Sequence, residues 1–117
     1  MRAFSLLAFL LPLVAANEHR QCYCMSWSND QQGWIHDEDL THFTCAKDYY
    51  DIAKWDDGLK RCVAKPHQRI DGDMWENDCI AIGVNNGFLP FTPQGDADQS
   101  APVKKVIHAV GSCPDRN

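Results

Sequence analysis

The segment Arg20–Trp27, which reads Arg-Gln-Cys-Tyr-Cys-Met-Ser-Trp, decides the fold because it alternates between two sets of side chains. Successive side chains of an extended strand point to opposite faces. One face would carry Cys22, Cys24 and Ser26, and the other Tyr23, Met25 and Trp27. The segment therefore predicts a first strand with two cysteines on the same face.

The residues before this strand have the layout of a secretory signal peptide. Arg2 supplies a positive charge, residues 4–14 are largely apolar, and Val14-Ala15-Ala16 places small residues at a cleavage site. The alternative is a membrane anchor, but this run is much shorter than the roughly 20 residues that span a bilayer. The sequence predicts a secreted, extracellular protein with a signal peptide over residues 1–16 and a single cysteine-rich domain over residues 17–117.

The cysteine count predicts disulfides. The chain has six cysteines, which are Cys22, Cys24, Cys45, Cys62, Cys79 and Cys113. An even number behind a secretory signal indicates three bridges. A zinc site is the alternative, but the sequence has no C-x-x-C pair and no H-x-x-x-H partner for one.

Two segments have the spacing of helices. Apolar residues recur at three- and four-residue steps over Thr41–Lys54, with Asp39 or Thr41 as the N-cap. A second helix has Asp73 as its predicted N-cap in a capping box, and Gly83 stands where the chain would leave that helix.

Further strands are predicted at Leu59–Ala64 and Val103–Val110. Cys113 follows the last strand, so a bridge to Cys22 or Cys24 would tie the two ends of the chain together. Six cysteines allow many pairings, and spacing does not choose among them. The predicted fold is α+β, a small disulfide-stabilised domain with two helices packed on a short antiparallel sheet.

Charge and motifs exclude several classes of function. A net charge of −5 disfavours a nucleic-acid binder that neutralises phosphates. The sequence lacks a nucleophile elbow, a zinc-protease motif and a phosphate loop, so we expect no catalytic residue, no metal and no cofactor. The one acid–base set that can be assembled from the sequence is His42, His108, Glu76 and Arg69, as in a small secreted ribonuclease. No local motif fixes any pair of these four residues.

The aromatic residues suggest a binding surface. Trp27 and Trp34 flank a polar stretch, and Phe88-Leu-Pro-Phe91 lies in a predicted loop. Exposed aromatic side chains commonly anchor protein partners. Trp27, Trp34, Phe88 and Phe91 are therefore the predicted partner-binding residues, and packing over the small core is the alternative.

The chain resembles the small cysteine-rich secreted proteins of filamentous fungi, many of which are candidate effectors. The resemblance rests on the signal peptide, Cys22-x-Cys24, Thr41 ahead of Cys45, Tyr49-Tyr50, Cys62, Ile70, Trp75 ahead of Cys79, and the final Cys113. It implies a virulence-associated protein that binds a host protein or other host component and is not an enzyme. We also expect a monomer. The alternatives are a secreted antimicrobial or enzyme-inhibitor protein and a small secreted ribonuclease-like hydrolase.

Overall fold

The structure is a computed structural model that describes residues 18–115. The predicted signal peptide over residues 1–16 lies outside them. The elements in chain order are β1 (Glu18–His19), β2 (Gln21–Trp27), β3 (Ile35–His36), α1 (Glu38–Asp48), β4 (Ala53–Asp56), β5 (Arg61–Ala64), β6 (Ile70–Asp71), α2 (Gly72–Ile80) and β7 (His108–Asp115). A π-helical turn over Ala81–Asn86 continues α2.

Strand β2 is the centre of the main sheet. It pairs antiparallel with β7 along one edge and with β5 and β3 along the other, and β4 pairs with β5. Strands β1 and β6 form a separate two-stranded sheet. The α+β class, the two helices and the antiparallel pairing are as predicted, but a main sheet of five strands is larger than the short sheet expected.

The alternation predicted for β2 is confirmed. Cys22, Cys24 and Ser26 are fully buried, while Tyr23 and Met25 on the other face are half-buried. Both helices pack against the buried face. The opposite face, which carries the odd-numbered side chains of β2, is called here the open face of the sheet.

The three predicted disulfides are present as Cys22–Cys113, Cys24–Cys79 and Cys45–Cys62. The first joins β2 to β7, and it is one of the two bridges predicted for Cys113, which were to Cys22 or to Cys24. The second joins β2 to α2, and the third joins α1 to β5. The bridges thus join five of the elements covalently, and three bridges in a domain of this size are compatible with an extracellular protein.

The core lies between the helices and the sheet. Its largest fully buried side chains belong to Trp75, Phe88, Leu40, Ile70 and Ile82. Trp75 also donates a hydrogen bond from Nε1 to the carbonyl oxygen of Tyr23 at 2.9 Å, so its polar edge is satisfied inside the core.

Helix α1 begins earlier than the sequence predicted, and it also ends earlier. Its N-cap is Asp37, not Asp39 or Thr41. The Asp37 carboxylate accepts hydrogen bonds from the Leu40 amide at 3.0 Å and from the buried Ser26 hydroxyl at 2.6 Å. Asp37 therefore caps the helix and also fastens it to β2.

The end of the predicted helix is a strand. Ala53–Asp56 forms β4, in which Ala53 faces Ala64 and Trp55 faces Cys62 across the hairpin. The helical spacing of the sequence continues past α1, but the backbone groups of β4 find their partners in β5. Pairing with a neighbouring strand thus outweighs the local helical pattern.

Helix α2 differs from its prediction at both ends. Its N-cap is Asp71 instead of Asp73, because the Asp71 carboxylate accepts from the amides of Asp73 and Met74. The helical chain also runs through Gly83 and ends at Gly87, whose φ is 89°. Gly83 is needed for close packing, since a Cβ there would lie 2.9 Å from Leu40 Cδ2.

The last strand lies further along the chain than Val103–Val110. Strand β7 starts at His108, which pairs with Trp27, and Val103 is 61% exposed. Gly111, inside β7, lies against α2: a Cβ there would be 2.8 Å from Trp75 Cδ1. The strand predicted at Leu59–Ala64 is present over Arg61–Ala64.

Within residues 18–115, no helix has both the length and the apolar character needed to cross a membrane.

Candidate binding surfaces

Two of the predicted partner-binding residues meet at one end of the sheet. Trp27 and His108 are cross-strand neighbours in β2 and β7, with ring centroids 5.7 Å apart. The ring of Trp34 lies 6.4 Å from the same histidine. Trp27, Trp34 and His108 are called here the tryptophan cluster.

Two further exposed apolar residues are next to members of this cluster in the chain. Trp34 is 46% exposed, Ile35 is 40% exposed and Ile107 is 41% exposed. Ile107 is held beside the cluster because its amide donates to the carbonyl oxygen of Trp27. Because paired residues of neighbouring strands point to the same face, Ile35, which pairs with Ser26, lies on the opposite face of the sheet from the ring of Trp27.

Near this end of the sheet lies a charged cleft of about 630 Å³, whose lining includes none of the three residues of the tryptophan cluster. Ile35 and Ile107 form part of its lining, together with Glu38, Asp39 and Lys104. Lys104 Nζ lies 3.4 Å from Asp39 Oδ2.

The open face of the sheet continues the aromatic surface. Tyr23 stacks on His36 with ring centroids 4.2 Å apart and an interplanar angle of 11°. The Arg61 guanidinium lies 5.2 Å from the centroid of the Tyr23 ring, and Met25 pairs with His36 in the sheet. Tyrosine, methionine and arginine are residue types enriched at interfaces.

A second group of rings lies beside α1. The imidazole of His42 is stacked between Trp55 and Phe91. Its ring centroid lies 4.3 Å from that of Trp55 and 3.4 Å from that of Phe91, with interplanar angles of 5° and 8°. Trp55 comes from β4 and Phe91 from the segment between Asn86 and β7. These three residues are part of the lining of a cleft of about 600 Å³, called here the stacked-histidine cleft.

Ionised groups surround this cleft. Lys60 Nζ lies 3.1 Å from an Asp57 carboxylate oxygen and 4.0 Å from one of Glu38. Burial lowers the pKa of His42 below its ordinary value, although the nearby carboxylates of Asp57 and Asp39 oppose that shift. The stacked imidazole is therefore neutral at neutral pH, and Lys60 is the cation that lines the cleft.

The four predicted partner-binding residues are not in one place. Trp27 and Trp34 belong to the tryptophan cluster, whereas Phe91 packs on His42. Phe88 is only 1% exposed, and its backbone pairs with that of Lys104. The prediction of an exposed anchor at Phe88 is therefore wrong, because its ring fills the core.

The residues of the hypothetical ribonuclease set have separate surroundings. His42 lies in its stack and His108 in the tryptophan cluster. Glu76 accepts a hydrogen bond from the Gly111 amide at 3.2 Å, and Arg69 donates to the carbonyl oxygen of Gln68. Among residues 18–115, each cleft whose lining residues are known is lined by at most one of these four residues.

Sequence reasoning missed the stack of His42 and Trp55. Both residues fell inside or next to a predicted helix that in fact divides into α1 and β4. Their contact depends on the turn between α1 and β4, which brings β4 back beside α1, and no local spacing encodes it.

In the described part of the chain, no group of three or more His, Cys, Asp or Glu side chains is arranged to hold a metal ion. Comparisons of the chain with protein-family models, with curated proteins and with solved structures each gave no match.

Proposed function

We propose that this protein is a secreted effector that acts by binding a host protein, and that the tryptophan cluster is the centre of the contact surface. The observation that carries the proposal is the exposure of Trp34, at 46%, beside Trp27 and His108. The host as the source of the partner comes from the resemblance to fungal secreted proteins. Burial of a partly exposed tryptophan is a characteristic source of binding energy at protein interfaces.

The size of the effect follows from the exposed area. A tryptophan side chain buries about 150–250 Å² when it is fully covered, so covering the exposed half of Trp34 removes about 100 Å² from water. At about 25 cal/mol per Å² this contributes roughly 2.5 kcal/mol. One such residue would change the dissociation constant by more than about tenfold.

The scaffold supports binding because it holds the cluster rigidly. Trp27 and His108 face each other across the β2–β7 ladder, and the Cys22–Cys113 disulfide closes the other end of the same pair of strands. A surface that is already ordered loses little conformational entropy on association.

Binding is favoured over catalysis by the placement of the acid–base candidates. Glu76 is engaged with the Gly111 amide, and His42 is enclosed by two rings. General acid–base catalysis needs two such groups within reach of one substrate. Cleavage of single-stranded RNA by the oxidised protein, lost in His42→Gln or His108→Gln, would contradict the proposal.

The test is a capture experiment with matched variants. The oxidised protein over residues 17–117, Trp34→Ala and Tyr50→Ala are immobilised and exposed to plant-tissue extract. Tyr50 is the control because it is 71% exposed and is not part of the tryptophan cluster. We expect a specific host protein that the wild type and Tyr50→Ala retain and that Trp34→Ala loses.

The affinity is then measured by calorimetry with the purified host protein. An at least roughly tenfold weaker dissociation constant for Trp34→Ala is expected. Equal affinity of the three proteins would refute the assignment of the surface. Growth inhibition of bacteria or fungi by the protein, with no host protein captured, would favour the antimicrobial alternative instead.

A further inference from the structure

We propose that the stacked-histidine cleft is a second binding site, and that its ligand is a neutral oligosaccharide. The inference does not depend on the tryptophan cluster or on a host protein. It rests on three properties of the cleft, which are its aromatic wall, its paired charges and its preformed rim.

The aromatic wall extends beyond one cleft. His42 and Trp55 also belong to the lining of an adjoining cleft of about 370 Å³, which includes Tyr50, at 71% exposed. The two clefts share His42 and Trp55 in their linings, and Phe91 lines the first while Tyr50 lines the second. The negative face of an aromatic ring attracts the C–H groups on the flat face of a sugar ring. Both faces of the His42 ring are covered in the stack, so the rings that a sugar could contact face-on are those of Trp55, Phe91 and Tyr50.

The polar groups of the cleft are already paired with each other. Lys60 serves both Asp57 and Glu38, and Lys104 lies 3.4 Å from Asp39 on the adjacent side. Each carboxylate still has unused lone pairs, because an ionised carboxylate has about four acceptor sites. The cleft therefore offers many hydrogen-bond acceptors, and its three carboxylates outnumber the two lysines paired with them, Lys60 and Lys104, by one.

This balance favours a neutral polyol over a charged ligand. A cationic ligand would have to compete with Lys60 for the carboxylates that hold it, and an anionic ligand would approach Glu38, Asp39 and Asp57. A sugar ring offers hydroxyl groups that donate to the carboxylates and accept from Lys60. It also offers apolar C–H faces to the rings.

The rim of the cleft is preformed by the chain. The turn Thr92–Gly95 lines it, closed by the Gly95 amide donating to the carbonyl oxygen of Thr92 at 2.9 Å. Gly95 has a φ of 90°, which favours glycine. Phe91 is fixed between its bridge to Ala97 and its edge-on contact with Phe43. A ligand would thus meet an ordered wall, which reduces the entropic cost of binding.

The test is a fluorescence and calorimetric titration with four neutral hexasaccharides, namely those of cellulose, laminarin, mannan and chitin. Trp55 lines the cleft and reports on binding through its emission. We expect at least one hexasaccharide to bind saturably. We also expect Phe91→Ala to weaken that binding by about tenfold or more, as for loss of one stacking ring.

Two controls separate this site from the others. Trp34→Ala, which alters the tryptophan cluster, should leave sugar binding unchanged. Asp57→Asn tests the polar side of the cleft without endangering the fold, because the Asp57 side chain is 84% exposed. It should weaken binding even if Phe91→Ala fails to fold.

Salt distinguishes the ligand classes. Sugar binding should be unchanged in about 0.5 M NaCl, where exposed charges are screened. No binding of any of the four hexasaccharides would overturn the proposal. So would salt-sensitive binding of a hexalysine peptide in their place, or binding that Trp34→Ala abolishes and Phe91→Ala does not.

Discussion

Replacement of Asp37 by alanine should cost much more stability than loss of an ordinary helix cap. Asp37 is 8% exposed, and its carboxylate makes two contacts. One oxygen accepts from the Leu40 amide at 3.0 Å and caps α1. The other accepts from the hydroxyl of Ser26, which is fully buried in β2, at 2.6 Å.

The expected loss in the free energy of unfolding follows from these two contacts. Loss of an N-cap side chain costs about 1 kcal/mol. A buried hydroxyl left without its partner costs a further 1–3 kcal/mol or so. We therefore expect Asp37→Ala to lower the free energy of unfolding by about 3 kcal/mol. Asp71→Ala is the matched control, since Asp71 caps α2 from an exposed position, and it should cost about 1 kcal/mol.

The assay is urea unfolding of the oxidised proteins, followed by far-UV circular dichroism. Ser26→Ala and the double variant with Asp37→Ala complete a cycle, in which the two changes should be non-additive because the residues are in contact. The reasoning would be refuted if Asp37→Ala cost no more than Asp71→Ala. Strict additivity with Ser26→Ala would refute it as well.

Further predictions concern pH, packing and the disulfides. Burial lowers the pKa of His42 from its ordinary 6.5, so the unfolded chain binds more protons below that pH. The free energy of unfolding should therefore fall as the pH drops from about 6.5 through the folded-state pKa, and it should fall less steeply in His42→Gln. Urea titrations at several pH values that gave the two proteins the same pH dependence of this free energy would contradict the prediction. Gly111→Ala should lower the free energy of unfolding by about 1–3 kcal/mol, since a Cβ would lie 2.8 Å from the backbone of Glu76. Gly58→Ala is the control and should change the denaturation midpoint little, because a Cβ there would meet only a side-chain oxygen at 3.3 Å. Reduction of the three disulfides should abolish the near-UV circular dichroism of the tryptophans, because each bridge contributes about 2–4 kcal/mol; an unchanged spectrum after dithiothreitol would show that the bridges are dispensable.

The capping residues show how far local sequence reaches. A carboxylate ahead of an apolar periodic run predicted both helices, but the caps are Asp37 and Asp71, each two residues before a predicted one. Several acidic residues lie near the start of each helix, and the local sequence does not distinguish which of them is the N-cap. Ser26 helps select Asp37, and it is remote in sequence and adjacent only after β2 and α1 have packed.

For the aromatic residues too, the sequence predicted some positions and the tertiary structure decided others. The sequence identified Trp27 and Trp34 as neighbours of a polar turn, and the structure brings both to His108. It could not separate Phe88 from Phe91, which are only three residues apart. One is buried in the core and the other stacks on His42, because the chain between them turns from the core towards the surface of α1.

By itself, the sequence determined the properties that repeat along a short stretch of chain. The alternation of Cys22, Cys24 and Ser26, the presence of two helices, the α+β class and the pairing of all six cysteines into bridges belong to this group. Only the tertiary structure decided which cysteines pair, where the segment after α1 becomes β4, and which rings meet at His42 and His108. Those outcomes depend on contacts between residues distant in sequence, where burial and strand pairing compete with local preference and exceed it in free energy.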